Sequence, residues 1–259
     1  TTRVGSSAAS DVYKRQAQYD TIAREYQRTK ESPLRRHIEA YSLFRMLGDV
    51  SGRAVLDLAC GDGFYTRLIK KAGAARVTGV DISSAMIALA NESEKASPLG
   101  VEYLCRDVAT LPDLGEFDVV SAAYLLHYAP DVQTLRLMCE RIARQLKRGG
   151  RLVCINENPD QPSDDYAGYT QYGFNKSVQK PREEGSAITY AMVSGRSMIR
   201  FNAYYYSRET YEAALRSAGF SEISWQPLQL GPDGIAECGE EYWQEYLANP
   251  PVTGLECRL

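Results

Sequence analysis

A glycine-rich turn followed by a distant carboxylate is the part of this sequence best suited to bind a ligand. The segment from Val55 to Gly63 reads VLDLACGDG and runs from an apolar stretch directly into a helical pattern that begins at Phe64. Glycines at such a strand-to-helix turn let a ligand approach the backbone closely. Asp81 ends the next apolar stretch, about twenty residues on, where an acid can accept hydrogen bonds from both hydroxyls of a ribose. The pair predicts a nucleotide-like ligand, and an ordinary tight turn is the alternative.

Two side chains near this turn bear on which ligand it binds. A dinucleotide fingerprint has a third glycine where this chain has Thr66, and Asp57 would lie unfavourably beside a pyrophosphate, which favours positive surroundings. A ligand that carries an ammonium and a sulfonium group is instead favoured by nearby carboxylates. S-adenosylmethionine is therefore the predicted cofactor. A dehydrogenase-like enzyme that uses NAD and a catalytically silent cofactor-binding module are the alternatives.

The elements around the turn alternate between strand and helix patterns. Short apolar runs and helical periods follow one another over residues 54–155, which predicts an α/β fold with a parallel sheet. Helical patterns before them predict an N-terminal helical cap over residues 17–50. A polar and aromatic stretch that contains a hairpin, residues 156–206, is the predicted substrate lid. We expect one domain over residues 17–259, with residues 1–16 a disordered extension outside it.

Four ordered motifs resemble those of the class I S-adenosylmethionine-dependent methyltransferases. The first is the acid and glycine-rich turn, in which Ala59 replaces the family's usual first glycine. The second is Asp81, the third is RDV at residues 106–108, and the fourth is FDVVSAA at residues 117–123. The resemblance implies an α/β, Rossmann-like, doubly wound and mostly parallel seven-stranded sheet. It also implies S-adenosylmethionine as the cofactor and methyl transfer as the reaction.

The same resemblance implies which residues contact the cofactor. The carboxylate of Asp81 is expected on the ribose and that of Asp107 on the adenine amino group, with a backbone N–H offered by Val108. The fourth motif is expected to line the methionine side. The full set of expected contacts is Asp57, Ala59, Gly61, Gly63, Asp81, Ile82, Met86, Asp107, Val108 and Ala123.

A closer resemblance is to a bacterial group of small-molecule methyltransferases that includes toxoflavin synthase. It rests on the strings YDTIAREY from Tyr19, KESPLRRH from Lys30, DLACGDGFY from Asp57 and NPPVTGLEC from Asn249. By this resemblance, Tyr19 and Tyr26 pack over the methionine portion of the cofactor and Arg36 meets its carboxylate. Simple contacts between a helix and the core are the alternative for the two tyrosines.

Methyl transfer is an in-line displacement at a carbon already activated by positive sulfur, so alignment and desolvation can suffice. If the acceptor atom carries a proton, His127 is the candidate base, with Tyr124 beside it, because both follow the fourth strand at the reactive end of the site. A hydrogen-bonded structural histidine is the alternative. Tyr128, Tyr204 and Tyr206 are the predicted acceptor-binding residues, since aromatic faces suit planar heterocycles and amines. We expect methylation of a nitrogen in such a small molecule, with O-methylation of a small metabolite as the alternative.

Composition excludes several other classes of protein. The net charge is −3, so the broad positive field of a nucleic-acid-binding protein is missing. Two histidines exclude a multi-histidine metal site, and no metal is predicted. Six cysteines without a CxxC pair and the lack of an apolar run near the roughly 20 residues of a membrane span predict a cytoplasmic protein without membrane contact. A monomer and a homodimer are equally open.

Overall fold

The alternating patterns fold into the strands of a sheet and the helices that cover it. The computed structural model describes residues 23–28, 32–166, 168–194 and 197–259. Its strands are β1 (Ala54–Leu58), β2 (Arg76–Asp81), β3 (Glu102–Cys105), β4 (Phe117–Ala123), β5 (Leu146–Glu157), β6 (Phe174–Val178), β7 (Ala187–Ser194), β8 (Ser197–Tyr204), β9 (Ser221–Gln226) and β10 (Val252–Arg258). Its helices are α1 (Ala23–Arg28), a π-helical segment Arg35–Ala40 that continues into α2 (Tyr41–Leu47), α3 (Phe64–Lys71), α4 (Ser84–Ala96), α5 (Val132–Arg144), α6 (Arg208–Ser217), α7 (Pro232–Cys238) and α8 (Glu240–Ala248).

Seven of the described strands form one sheet in the order β3-β2-β1-β4-β5-β10-β9. Neighbouring strands from β3 to β5 are parallel, and β10 pairs antiparallel with both β5 and β9. The predicted Rossmann-like, mostly parallel seven-stranded sheet is therefore confirmed. The chain tail supplies β10, which lies inside the sheet between β5 and β9.

Both faces of the sheet are covered, which explains why its strands read as nearly continuous apolar runs. In β1, Val55 packs into one hydrophobic core together with Ile69 of α3. The next residue, Leu56, points to the other face and packs with Leu135 of α5. All four of these side chains are fully buried. Successive side chains of one strand thus pack into cores on opposite faces of the sheet, which gives three layers: helices, sheet and helices.

The strand order reverses at β1, which determines where a ligand site can form. From β1 the chain proceeds outward to β2 and β3 on one side, and then returns to β4 on the other side. Loops that leave the carboxyl ends of β1 and β4 therefore diverge and leave a crevice between them. The glycine-rich turn and the loop after β4 meet at this crevice.

A second, antiparallel sheet of β6, β7 and β8 lies within the predicted lid, residues 156–206. The sequence predicted β7 and β8 as a hairpin but not β6. Tyr190 and Phe201 are opposite one another in register, and their rings stack with centroids 5.3 Å apart. Lys176 lies opposite Tyr190 on β6, and its ammonium pairs with the carboxylate of Glu157 at the end of β5. A buried ion pair therefore connects the small sheet to the large one.

The N-terminal helices pack against the large sheet and beside the small one. Ile38, Leu43 and Leu47 are fully buried in the first core. Helix α1 lies against α4 and against β7 and β8. The predicted extension, residues 1–16, lies outside the described residues.

Membrane-spanning helices and clusters of metal ligands are both absent from the described residues. None of the helices in these ranges is long and apolar enough to cross a lipid bilayer. Within the same ranges, no group of three or more histidine, cysteine, aspartate or glutamate side chains is arranged to hold a metal ion.

Asp118 at the start of β4 makes part of the stability dependent on pH. A hydrogen bond from Lys147, supported by one from the backbone N–H of Ala54 at 2.8 Å, lowers the pKa of Asp118 below its ordinary value. A carboxyl group whose pKa is lower in the folded state stabilises the fold above its unfolded pKa of about 3.9 and loses that contribution as the pH falls through the folded pKa. We expect Asp118→Asn to be less stable than the wild type at pH 7. Urea denaturation between pH 7 and pH 3 should show this difference shrinking below about pH 4, and a difference that stays constant would contradict the assignment.

Candidate functional site

A cavity lies at the carboxyl ends of β1, β2 and β4, where the strand order reverses. It is lined by residues from the turn after β1, the starts of α3 and α4, the ends of β2 and β4, the loops after β2, β3 and β4, and from α5 and β8. These lining residues are Ala59, Cys60, Gly61, Tyr65, Asp81, Ile82, Met86, Arg106, Asp107, Val108, Ala123, Tyr124, Leu125, Tyr128, Met138, Asn202 and Tyr204. Eight of the ten residues that the family resemblance places at the cofactor are in this set, namely Ala59, Gly61, Asp81, Ile82, Met86, Asp107, Val108 and Ala123.

The turn after β1 has three residues with positive φ, and they serve different purposes. Gly61 has φ of +55°, and a Cβ added there would meet no atom within 4 Å, so its open side is free for a ligand. Gly63 has φ of +83°, and a Cβ added there would lie 2.8 Å from Cζ of Tyr103. Ala59 adopts φ of +56° in spite of its methyl group. Gly63 was expected to contact the cofactor, but its lack of a side chain is required for packing against Tyr103.

Substitution of the two glycines should separate binding from stability. We expect Gly61→Ala to lower the affinity for S-adenosylhomocysteine at least tenfold while costing about 1 kcal/mol of unfolding free energy, the strain of a left-handed alanine. Gly63→Ala adds overpacking to that strain and should cost about 2–4 kcal/mol. Calorimetric titration and urea denaturation of both variants measure the two effects. Unchanged affinity in Gly61→Ala would show that no ligand contacts the open side of the turn.

Asp57, in the strand that leads into the turn, is hydrogen-bonded to the helix that follows the turn. Its carboxylate is buried, and it accepts a 2.6 Å hydrogen bond from the hydroxyl of Thr66. Asp57 is not among the described residues that line the cavity, so the structure differs here from the expected direct contact. Thr66, which stands in place of a dinucleotide-type glycine, thus ties the first turn of α3 to β1.

Asp81 at the end of β2 directs its carboxylate to the edge of the cavity. One oxygen accepts from the Gly61 N–H at 2.8 Å and the other from the Ser83 N–H at 2.9 Å. Ser83 in turn caps α4 by accepting from the N–H of Met86 at 3.2 Å. The carboxylate is therefore held in place, at the edge of the cavity, by the turn and by the helix start.

The loop after β3 forms the next part of the wall. Asp107 accepts from the Ala109 N–H at 3.0 Å through one carboxylate oxygen and so orders a short helical turn that begins at Val108. Ile82 and Met86 lie on the adjacent wall of the cavity. An apolar slot with an acceptor carboxylate at its rim suits a purine with an exocyclic amino group. The residues present therefore fit S-adenosylmethionine, with Asp81 for the ribose and Asp107 for the adenine.

Tyr124, directly after β4, marks the other end of the cavity. Its φ is +65°, a conformation that costs a bulky residue energy and that concentrates at functional sites. Its hydroxyl donates to Oε1 of Glu39 at 2.5 Å, and Tyr65 donates to Oε2 of the same carboxylate at 3.0 Å. Arg35 pairs with Glu39, and its guanidinium lies 4.8 Å from the centre of the Tyr124 ring. Glu39 is 1% exposed, so this end of the cavity has a buried polar support.

The structure differs from the sequence prediction at Arg36. Its guanidinium forms a bidentate pair with Glu237 at 2.6 and 3.0 Å, in a separate groove that includes His37 and Tyr41. The neighbouring Arg35 is the arginine that the structure brings to the cavity end. Of the two predicted tyrosines, Tyr19 lies outside the described residues and only the backbone of Tyr26 lies within them.

His127 is buried behind the cavity wall and is not one of its described lining residues. Its Nδ1 is 2.9 Å from Oδ1 of Asn156 and 3.1 Å from the backbone nitrogen of Glu157. Burial lowers the pKa of His127 to about 3, so the ring is neutral at neutral pH. These contacts suit a histidine that positions its neighbours, and its role as a base stays a prediction.

The three predicted acceptor-binding tyrosines have different surroundings. Tyr128 lines the cavity, with its ring centroid 4.5 Å from that of His127. Tyr204 also lines it and is half-buried. Tyr206 is 1% exposed, donates its hydroxyl to the Ala129 carbonyl at 2.8 Å and lies in the second core. The structure therefore brings Tyr128 and Tyr204 to the site but not Tyr206.

Several residues at the site were not predicted from the sequence to lie there, namely Arg35, Glu39, Tyr65, Leu125, Met138 and Asn202. Tyr65 directly follows the glycine-rich turn, so its place in α3 was a usable signal. Glu39 had no local signal, because a single acid in a helical pattern usually faces solvent.

Comparison with known proteins agrees with this geometry. Residues 55–150 match the family described as a methyltransferase domain, which covers the turn, Asp81, Asp107 and β4. The N-demethylindolmycin N-methyltransferase of Streptomyces griseus is 31% identical over 180 residues, which cover 69% of this chain and 73% of that relative. The ubiquinone biosynthesis O-methyltransferase of Coxiella burnetii is 36% identical over 112 residues, and the match spans 42% of this chain and less than half, 46%, of that relative.

Solved structures share the fold. An S-adenosylmethionine-dependent methyltransferase from Mesorhizobium loti superposes with a TM-score of 0.63 at 20% identity, covering 89% of this chain and 100% of that one. At this identity the match supports the architecture of the sheet and its helices. The family and the cofactor rest on the sequence matches together with the cavity.

Proposed function

This chain belongs to the class I S-adenosylmethionine-dependent methyltransferases, and from that premise we propose that it methylates a nitrogen atom of a small planar heterocycle or amine. The observation that carries this proposal is the aromatic wall at the Tyr124 end of the cavity. Tyr65, Tyr124 and Tyr128 line it, and aromatic faces bind planar rings and cationic amines.

The residues of the chain supply binding, orientation and exclusion of water. When bound, the cofactor would supply a methyl group on a positively charged sulfur: an acceptor lone pair would bond to the methyl carbon in line as the carbon–sulfur bond breaks, leaving neutral S-adenosylhomocysteine. Asp81 holds the ribose, and the open side of Gly61 lets the ligand reach the backbone of the turn. Tyr124 and Tyr128 cover the reacting end and hold the acceptor close to its attacking geometry.

A nitrogen acceptor is favoured over an oxygen acceptor by the chemistry of this wall. A neutral ring nitrogen or an aromatic amine has a lone pair at neutral pH, whereas a hydroxyl group must lose its proton as it is methylated. The candidate base, His127, is buried outside the described cavity lining, and its lowered pKa makes it a weak base. The name of the Streptomyces griseus relative, an N-methyltransferase, supports the same choice.

O-methylation of a small metabolite is the second candidate. It is supported by the similarity to the Coxiella burnetii O-methyltransferase over 112 residues, 42% of this chain. In that case His127 would be the base that takes the hydroxyl proton. The Tyr128 ring would have to move aside for this, since it lies against the His127 ring.

Product analysis tests the proposal against this alternative. The protein would be incubated with methyl-labelled S-adenosylmethionine and matched pairs of acceptors that differ only in an amino or a hydroxyl group on the same ring. Mass spectrometry of the products should show label on the amino members of the pairs. Label only on the hydroxyl members would establish O-methylation instead.

We propose three further properties in keeping with this function. Residues 17–259 form a single methyltransferase domain, with a helical cap over residues 17–50 and a substrate lid over residues 156–206. The protein belongs to the toxoflavin synthase-like group, on the four strings shared with it. It works in the cytoplasm without nucleic acid or membrane as a partner, in keeping with its net charge and cysteine spacing.

A further inference from the structure

The buried carboxylate of Glu39 determines the hydrogen-bond polarity of the reactive end of the cavity. Glu39 lies in the π-helical segment Arg35–Ala40, a rare helix type that occurs often at functional sites. It accepts hydrogen bonds from two tyrosines that both line the cavity, Tyr65 from α3 and Tyr124 from the loop after β4. One carboxylate thus joins the N-terminal helices to two separate walls of the site.

Each tyrosine hydroxyl has a single proton to donate. Burial, together with the charge of Glu39, raises the pKa of Tyr124 well above its ordinary value, so the hydroxyl keeps this proton. Because the proton is donated to Glu39, the Tyr124 oxygen can only accept further hydrogen bonds. Tyr65 also donates its proton to Glu39, so its oxygen too can only accept further hydrogen bonds. These two tyrosines therefore offer lone pairs, and not protons, to a ligand.

The charge of Glu39 does not create a strong negative field, because Arg35 pairs with it inside the protein. Arg35 and Glu39 have side chains that are 7% and 2% exposed, so both charges are desolvated. What the cluster supplies is a neutral wall of fixed orientation. Removing the carboxylate would release the tyrosine protons and leave the positive charge of Arg35 uncompensated.

We infer that Glu39 is a positioning residue that makes this end of the cavity specific for groups that carry N–H or positive charge. The groups it selects are an acceptor nitrogen bearing an N–H and the cationic end of the cofactor. The part of this inference that concerns the acceptor rests on the proposed N-methylation. The part that concerns the cationic cofactor does not.

The test compares ligands that differ in charge at one atom. S-adenosylmethionine has a sulfonium group where S-adenosylhomocysteine has a neutral sulfur, so the ratio of their dissociation constants reports the polarity of the wall. We expect Glu39→Gln to weaken binding of S-adenosylmethionine tenfold or more, but binding of S-adenosylhomocysteine less than threefold. The matched control is Glu237→Gln. This change removes the charge that pairs with Arg36, which lies on the same helical segment as Glu39 but outside the cavity, and it should leave the ratio unchanged.

Tyr124→Phe provides a second measurement that keeps the pair of Arg35 and Glu39. It should raise the KM for an amine acceptor at least tenfold, with a smaller change in KM for the cofactor. Equal losses for both cofactor forms in Glu39→Gln, or no change in Tyr124→Phe, would reduce Glu39 to a structural support. A shifted ratio in a protein that methylates only hydroxyl groups would keep the role of Glu39 toward the cofactor and overturn the proposed nitrogen acceptor. If Glu39→Gln does not fold, the KM of Tyr124→Phe for the amine acceptor decides the test alone.

Discussion

Asp81→Ala is expected to lower the affinity for S-adenosylhomocysteine at least a hundredfold. The carboxylate is held by the N–H groups of Gly61 and Ser83 and points to the cavity edge, where it can accept from both ribose hydroxyls. Loss of two hydrogen bonds to a charged acceptor, each about 1.5–3 kcal/mol, corresponds to a hundredfold or more. Isothermal titration calorimetry on the purified variant measures the effect.

Asp118→Asn is the matched control for this variant. Asp118 also accepts from a backbone N–H, that of Ala54, but it lies at the start of β4, away from the cavity. It should lose stability and keep its affinity. A loss of less than fivefold in Asp81→Ala, or an equal loss in both variants, would contradict the assignment of Asp81 to the ribose.

Lys176→Met is expected to destabilise the protein by about 3–5 kcal/mol, because it leaves the carboxylate of Glu157 buried without its counter-ion. The side chains of Lys176 and Glu157 are 0% and 2% exposed, and Tyr190 donates a further hydrogen bond to the same carboxylate. The Tyr166 ring lies 4.0 Å from the Lys176 ammonium. Such a loss in a protein of this size corresponds to a fall in Tm of about 6–20 °C, measured by calorimetry or circular dichroism.

Lys180→Met is the control for the loss of a lysine charge near the same strand. Lys180 pairs with Asp164, and both side chains are more than half exposed, so its removal should change the unfolding free energy by less than about 1 kcal/mol. A double variant, Glu157→Leu with Lys176→Met, should recover much of the stability, since an apolar pair can replace a buried ion pair. A single variant as stable as the Lys180 control would show that the pair is not buried in solution.

The central part of the fold was predictable because its signals are local. In β1, α3 and β2, each residue follows an apolar or helical period, and the turn between them contains glycines with positive φ. All three elements lie in the alternating stretch, residues 54–155, that predicted the parallel sheet. Asp81 followed from the same pattern, since it ends a strand next to that turn.

The strand β6 was not predictable, because its inward face contains Lys176. A lysine in an alternating pattern indicates the solvent face of a strand, and only the carboxylate of Glu157, distant in the sequence, makes its burial possible. The placement of β10 between β5 and β9 has a similar cause. Its pairing partners β5 and β9 lie elsewhere in the chain, and no local periodicity specifies which strands it pairs with.

Arg36 was assigned to the cofactor by the family resemblance and not by a pattern in the sequence. In the structure Arg35 is buried and pairs with Glu39, four residues on, within the π-helical segment Arg35–Ala40. Arg36, one residue along the helix, faces Glu237 instead. Glu39, on the same segment, is brought inward together with Arg35.

A crystal structure with S-adenosylhomocysteine bound would show directly whether this cavity is the cofactor site. The cavity at the ends of β1, β2 and β4 should hold the ligand, with ribose hydroxyls on the Asp81 carboxylate, adenine beside Asp107 and Val108, and sulfur directed toward Tyr124. A ligand found instead in the groove of Arg36, His37 and Tyr41, or one with its sulfur turned away from Tyr124, would contradict the site proposed for methyl transfer.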